Sequence, residues 1–125
     1  MTPNPKVLSV IGLGYVGLTT AIGFGLRGYR IIGIDNDEDK VSRINRKVCP
    51  IHEEGMSEAL QKVELAATSN YRRILDSDIT FVCVNTPCML DGSIDEQPLK
   101  RLAGHLADIL KEKQGYHLIA LRSTF

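Results

Sequence analysis

Apolar positions along the chain follow two alternating rhythms. Short, mainly apolar runs occupy 7–11, 30–34, 65–68, 79–84 and 117–121. Runs of this length predict strands covered on both faces, and 79–84 (Ile-Thr-Phe-Val-Cys-Val) is the strongest of them, 65–68 the weakest. Between them the spacing lengthens. Over 15–27, Leu18, Ile22 and Leu26 recur every fourth residue and Gly28 provides a stop, which predicts a helix. A second helix is predicted over 37–47, with Val41 and Ile44 facing in, and Cys49-Pro50-Ile51-His52 breaks it because proline cannot continue the hydrogen-bond ladder. Short helices follow at 57–62 and around Ile74-Leu75, the latter leading into the turn Asp76-Ser77-Asp78. Pro98 opens the last helix, in which Leu99, Leu102, Leu106 and Ile109 recur at three- and four-residue steps before Gly115 ends it.

Repeated strand–helix alternation requires right-handed crossovers and predicts an α/β domain, a doubly wound parallel sheet of about five strands in the order 3-2-1-4-5 with helices on both faces. At 125 residues the chain has room for one domain, taken as 1–125. The abrupt end at Leu121-Arg122-Ser123-Thr124-Phe125 predicts a sheet truncated before a sixth strand, with 117–121 as an uncovered edge. Fifteen Lys and Arg balance fifteen Asp and Glu, so the net charge is zero. That excludes an electrostatic nucleic-acid binder and a polybasic membrane module. No run approaches the ~18 apolar residues of a bilayer span, and residues 1–6 lack the apolar core of a signal peptide. Cys49, Cys83 and Cys88 are odd in number and contain no CxxC pair, which predicts reduced thiols in a cytoplasmic protein and no metal site. A catalytic thiol is open to Cys83 or Cys88, but neither has a histidine nearby in sequence to activate it. His52, His105 and His117 are scattered, and His105 reads as a surface or boundary residue.

The glycines cluster where such a fold would use them. Gly12-Leu13-Gly14-Tyr15-Val16-Gly17 is G-x-G-x-x-G between a strand and a helix, the Rossmann-type fingerprint. Gly12 permits the tight turn, Gly14 lets the backbone approach a pyrophosphate, and Gly17 lets the helix pack close to the strand. The helix N-terminus offers N–H groups and partial positive charge to phosphates. Asp35 ends the second strand 18 residues after Gly17, where a carboxylate accepts the hydroxyls of an adenosine ribose. A 2′-phosphate there would meet like charge, which predicts NAD over NADP. Lys40 and Arg43 follow in sequence, one helical turn or more further on. Ligands of doubly wound sheets lie across the carboxyl ends of the strands, so Val84-Asn85-Thr86-Pro87 and Arg122-Ser123-Thr124 are placed either to reach the nicotinamide half or to serve as ordinary strand-end loops.

Ile11-Gly12-Leu13-Gly14-Tyr15-Val16-Gly17-Leu18 resembles the opening of the nucleotide-sugar (UDP-glucose/GDP-mannose) dehydrogenases, with the tyrosine–valine pair as the distinguishing feature. Three further blocks are similar to that family in order and spacing: Cys49-Pro50-Ile51-His52-Glu53-Glu54-Gly55-Met56, with Glu54 in place of the usual proline; Cys83-Val84-Asn85-Thr86-Pro87; and Arg122-Ser123-Thr124. The resemblance covers 6–125. It implies that residues 12–17, Asp35, Lys40, Thr86 and Thr124 contact NAD, with Val16 packing against it. It also implies that Ser123 and Thr124 lie near the nicotinamide and the sugar, where the threonine helps position a water. The family's catalytic cysteine, and the lysine, asparagine and aspartate that work with it, match no residue here and would lie past Phe125, as would the glutamate of the hydrolysis step.

The chain is thus expected to be the NAD-binding front of a nucleotide-sugar 6-dehydrogenase, most readily UDP-glucose 6-dehydrogenase, that holds cofactor and turns over nothing by itself. GDP-mannose or a UDP-N-acetylhexosamine is the alternative substrate. A hydroxyacid or hydroxyacyl-CoA dehydrogenase would account for the glycines and Asp35 but not for the other blocks, and a stand-alone NAD-binding module would account for the length. The expected partners are a nucleotide sugar and, for the parent, a second copy of itself; the chain alone would be a monomer or an edge-strand dimer.

Overall fold

A computed structural model describes residues 6–84 and 89–122. Strand β1 (Val7–Ile11) lies at the centre, because its residues are almost wholly enclosed and it pairs in parallel on both sides. On one side it meets β2 (Arg30–Ile34), and β2 meets β3 (Leu65–Thr68); on the other it meets β4 (Ile79–Val82), and β4 meets β5 (Leu118–Leu121). The five strands run parallel in the order β3-β2-β1-β4-β5, the Rossmann-type arrangement expected from the alternation of elements.

Helix α1 (Tyr15–Leu26) joins β1 to β2, helices α2 (Glu38–Asn45) and α3 (Met56–Lys62) join β2 to β3, and α4 (Gln97–Leu110) joins β4 to β5. Alternate strand residues face opposite sides of the sheet and build two cores. Leu8, Val10 and Ile31 meet Leu18, Ile22, Ile44 and Leu60 on one side. Ile11, Ile32, Ile34 and Val82 meet Ile74, Leu106 and Ile109 on the other.

Several elements depart from expectation, each for a packing reason. Leu26 does not continue the buried stripe of Leu18 and Ile22 but is 55% exposed. The buried face of α1 instead runs through Gly17, Leu18, Ala21, Ile22 and Gly25, and its two glycines bring the helix close to the Gly12 turn and to Val63 at the end of α3. Strand β4 ends at Val82 rather than 84, because Val82 is the partner of Ile11 and the chain of β1 turns away at Gly12. Helix α2 covers 38–45 rather than 37–47, with Asp37 as its cap: the carboxylate accepts from the N–H groups of Asp39 and Lys40. The expected short helix at Ile74-Leu75 is a 3₁₀ helix over Tyr71–Asp76, capped by Asn70. Helix α4 ends at Leu110, before Gly115, as the N–H groups of Glu112 and Lys113 tighten onto the carbonyls three residues back.

A polar chain crosses the sheet at its amino end. Ser9 Oγ lies 2.7 Å from Thr80 Oγ1, and Thr80 Oγ1 lies 2.7 Å from His117 Nε2. Ser77 Oγ donates to Ser9 Oγ, and Lys113 Nζ reaches both His117 Nδ1, at 3.0 Å, and the Ser77 carbonyl. A Lys ammonium has no lone pair, so it donates to Nδ1, and His117 sits neutral with its Nε2 proton directed at Thr80. Burial, then the Lys113 charge, pushes the His117 imidazole below its ordinary value. Among the described residues no buried side-chain nitrogen or oxygen lacks a partner. Strand β5 pairs, among the described residues, only with β4 and leaves Leu118 and Leu121 substantially exposed at the sheet edge. No helix among the described residues is long and apolar enough to cross a membrane.

Candidate cofactor site

The chemistry-bearing residues collect at the carboxyl ends of β1, β2 and β4. Gly12 follows β1 with φ +90°, a conformation that costs a side-chain-bearing residue strain. A Cβ there would also stand 2.6 Å from the Cys83 carbonyl oxygen. The Gly12 N–H donates to the Ile34 carbonyl at 2.8 Å, which ties the turn to the end of β2. Gly17 is excluded from carrying a side chain for a different reason: its Cβ would fall 1.6 Å from the Gly12 carbonyl oxygen. Gly14 differs from both. Nothing of the protein lies within 4 Å of a Cβ built on it.

That open space matters because Gly14 is also the N-cap of α1. It brings no capping side chain, and the first turn holds no acidic residue. Among the described residues no side chain caps this positive end of the helix, as an anion site requires.

Asp35 follows β2 and is 8% exposed. Its Oδ2 accepts from the Leu13 N–H at 2.8 Å and its Oδ1 from the Asp37 N–H at 2.9 Å. Lys40 Nζ approaches Oδ2 at 3.4 Å. Lys40 stands in the first turn of α2, three residues after the Asp37 cap, and its side chain lies back onto Asp35. Arg43 turns elsewhere and pairs with Asp39 at 3.1 Å. Asp35 thus locks the glycine turn to β2, and a carboxylate has about four lone-pair directions, so acceptor capacity remains.

A cavity of about 320 Å³ joins these groups, lined by Gly12, Gly14, Tyr15, Val16, Asp35, Asn36, Lys40, Tyr71, Cys83 and Val84. Among the residues assigned to the cofactor from sequence, Gly12, Gly14, Tyr15, Val16, Asp35, Lys40 and Val84 line it. Leu13 and Gly17 lie buried behind it, one serving Asp35 through its N–H and the other setting the seat of α1. Asn85, Thr86, Pro87, Ser123 and Thr124 lie outside the described residues.

Sequence reading missed Asn36, Tyr71 and the floor position of Cys83. Tyr71 reaches the cavity only because β3 pairs beside β2 and the 3₁₀ helix follows it, a long-range consequence that no local pattern carries. Burial, then the Asp35 charge, raises the Tyr71 phenol above its ordinary value. His105 is exposed, as expected, and meets the Tyr71 ring edge-on at 5.6 Å. Burial also raises the Cys83 thiol, which makes it a poor nucleophile. No group of three or more His, Cys, Asp or Glu among the described residues could hold a metal ion.

The cradle fits a dinucleotide: an open backbone position at an uncapped helix N-terminus takes a pyrophosphate, and the carboxylate at the next strand end takes a ribose diol. These features define the cofactor domain of a nicotinamide-dinucleotide dehydrogenase. The chain belongs to the UDP-glucose/GDP-mannose dehydrogenase family, whose NAD binding domain matches residues 6–125. It is 42% identical over 120 residues to the UDP-glucose 6-dehydrogenase AglM of Haloferax volcanii, covering 94% of this chain and 28% of that protein. It is 34% identical over 122 residues to the GDP-mannose 6-dehydrogenase of Pseudomonas aeruginosa, again covering 94% of this chain and 28% of the relative. Among solved structures it is similar to the UDP-glucose dehydrogenase of Pyrobaculum islandicum, with TM-score 0.89 and 32% identity, covering 99% of this chain and 31% of that one. The chain therefore spans less than a third of the length of these relatives.

Proposed function

We propose that this chain is the NAD-holding part of a nucleotide-sugar 6-dehydrogenase whose substrate is UDP-glucose, oxidised at C6 to UDP-glucuronate with two NAD and water, as a precursor for polysaccharide synthesis. The observation that carries the cofactor reading is the pairing of an open Gly14 at the uncapped α1 N-terminus with the Asp35 carboxylate at the end of β2. The choice of UDP-glucose is supported by the higher identity to the Haloferax enzyme than to the Pseudomonas GDP-mannose enzyme, 42% against 34%. GDP-mannose is the second reading, because the GDP-mannose dehydrogenase structure from Pseudomonas aeruginosa superposes with TM-score 0.90.

Bound NAD supplies the hydride acceptor. The chain's own residues do the holding: the N–H groups of the α1 first turn face the pyrophosphate, Asp35 takes the adenosine ribose and repels a 2′-phosphate, and Val16 and Tyr15 line the path between them. Covalent oxidation of a sugar alcohol to an acid needs an activated nucleophile with an acid–base partner. Burial pushes the Cys83 thiol up, against the role of an activated nucleophile, and the reading assigns catalysis to parts of the parent outside this chain.

Calorimetric titration tests the reading. NADH is expected to bind more tightly than NADPH, and equal or reversed affinities would overturn the role of Asp35. Mixed with NAD and UDP-glucose, the chain is expected to generate no NADH absorbance; steady turnover would overturn the division of labour.

A further inference from the structure

The segment between α2 and α3 contains the Cys49–Met56 block, which none of the cavity-lining residues comes from. It is nevertheless joined to the cavity wall at one point. The Tyr15 hydroxyl donates to Glu53 Oε1 at 3.0 Å, across 38 residues of sequence. Tyr15 is the first residue of α1 and lines the cofactor cavity, yet it is 57% exposed. An exposed phenol at a helix start has several rotamers open to it, so a single strong acceptor decides where the ring stands. Glu53 is held in turn from behind. The Met56 N–H donates to its carbonyl at 3.2 Å, Gly55 turns the chain in the left-handed region to cap α3, and Ile51 and Met56 pack on the core beneath α1.

We propose that Glu53 is a positioning residue for the cofactor site: it clasps Tyr15 so that the phenol ring forms a fixed wall of the cavity beside the α1 N-terminus. This rests on the NAD-binding reading above and adds to it a residue that does not touch the cavity. The chemistry sharpens the assignment. A carboxylate near a site for an anionic pyrophosphate is electrostatically unfavourable in its own right. Its presence there is explained by the hydrogen bond it accepts, and the hydrogen bond also accounts for the raised Tyr15 phenol.

Holding the bond and holding the charge are therefore separable. Glu53→Gln keeps an acceptor oxygen and removes the charge. Glu53→Ala and Tyr15→Phe each remove the bond while leaving the ring. NADH dissociation constants of the 125-residue chain would be measured by calorimetry, with thermal melts alongside. Loss of the clasp is expected to weaken NADH binding about two- to fivefold, a small effect because both groups face solvent. Both Glu53→Ala and Tyr15→Phe should show this loss, and the double variant should lose no more than either alone. Glu53→Gln should bind at least as tightly as the parent, and all melting temperatures should remain near wild type, because both side chains are exposed.

An unchanged dissociation constant in Glu53→Ala overturns the clasp alone, as does full additivity in the double variant. A Glu53→Gln variant as weak as Glu53→Ala also overturns it. Failure of the wild-type chain to bind NADH overturns the cofactor reading and the clasp together.

Discussion

The three glycines of the first turn should fail in different ways when given a methyl group, and the contrast isolates what the cofactor needs from what the fold needs. At Gly17 the added Cβ would stand 1.6 Å from the Gly12 carbonyl oxygen. Ordinary carbon–oxygen approach stops near about 3.3 Å, so α1 must withdraw from β1 by more than an ångström. Withdrawal loosens Leu18, Ala21 and Ile22, all at or near zero exposure against the sheet. Overpacking costs about 1–3 kcal/mol where side chains can yield, and here the obstacle is backbone. Gly17→Ala is therefore expected to lose at least about 3 kcal/mol, which for a domain this size lowers Tm by roughly 10 °C. At Gly14 nothing lies within 4 Å of the new methyl and the backbone is extended, so the apo protein accommodates it. An N-cap alanine is worse than glycine by a few tenths to about 1 kcal/mol. A less flexible unfolded chain returns about 0.4–1 kcal/mol of that. Stability should thus stay within about 1 kcal/mol of wild type. NADH affinity should nonetheless fall at least about tenfold, because the methyl occupies the space a phosphate must enter. Urea unfolding and NADH calorimetry on both variants supply the two readouts. A Gly14→Ala protein that binds NADH like wild type, or a Gly17→Ala protein with a wild-type unfolding midpoint, would refute the reasoning.

Asp35→Ala should show two losses. NADH binding weakens by about 1–3 kcal/mol, and stability drops as well because the buried Leu13 N–H is left without its acceptor; unchanged urea unfolding would contradict the structural half. Stability should also depend on pH through His117. Its folded pKa is depressed, so between the unfolded value of about 6.5 and the lower folded value the unfolded chain binds the extra proton. Stability therefore falls as pH drops below about 6.5, and His117→Gln should flatten that slope in urea titrations between pH 7.5 and 5. Asp78, held below the usual carboxylate range chiefly by the Lys6 N–H, adds its own loss only at more acid pH. Lys47 has φ +62° and its ammonium caps α3 by donating to the Leu60 and Val63 carbonyls at 3.1 and 2.7 Å. Lys47→Ala should cost roughly 1–2 kcal/mol, while Lys47→Gly recovers the backbone part, so the glycine variant should unfold at a higher urea concentration than the alanine variant.

Local pattern was enough to determine the elements of this protein and their order. Mainly apolar runs mark β1, β2 and β4 because strands covered on both faces have no solvent-facing polar side, and the glycine turn with Asp35 announces the cofactor because each residue there answers a local backbone or charge requirement. The family blocks extended that reading along nearly the whole chain. Where the pattern erred, the deciding forces were long-range. Leu26 repeats at the right interval but lies exposed, since the buried face of α1 ends at Gly25, which packs against Val63. Lys40 turns its side chain back onto Asp35, and Tyr71 reaches the cavity because β3 pairs beside β2. The clasp between Tyr15 and Glu53 and the polar chain from Ser9 through Thr80 to His117 join residues 37 to 71 positions apart. Sequence thus determined which residues form strands, helices and the phosphate turn, since those follow from neighbours along the chain. Only the assembled sheet decided which side chains wall the cavity and which are held from behind, because those contacts exist only once strands distant in sequence lie side by side.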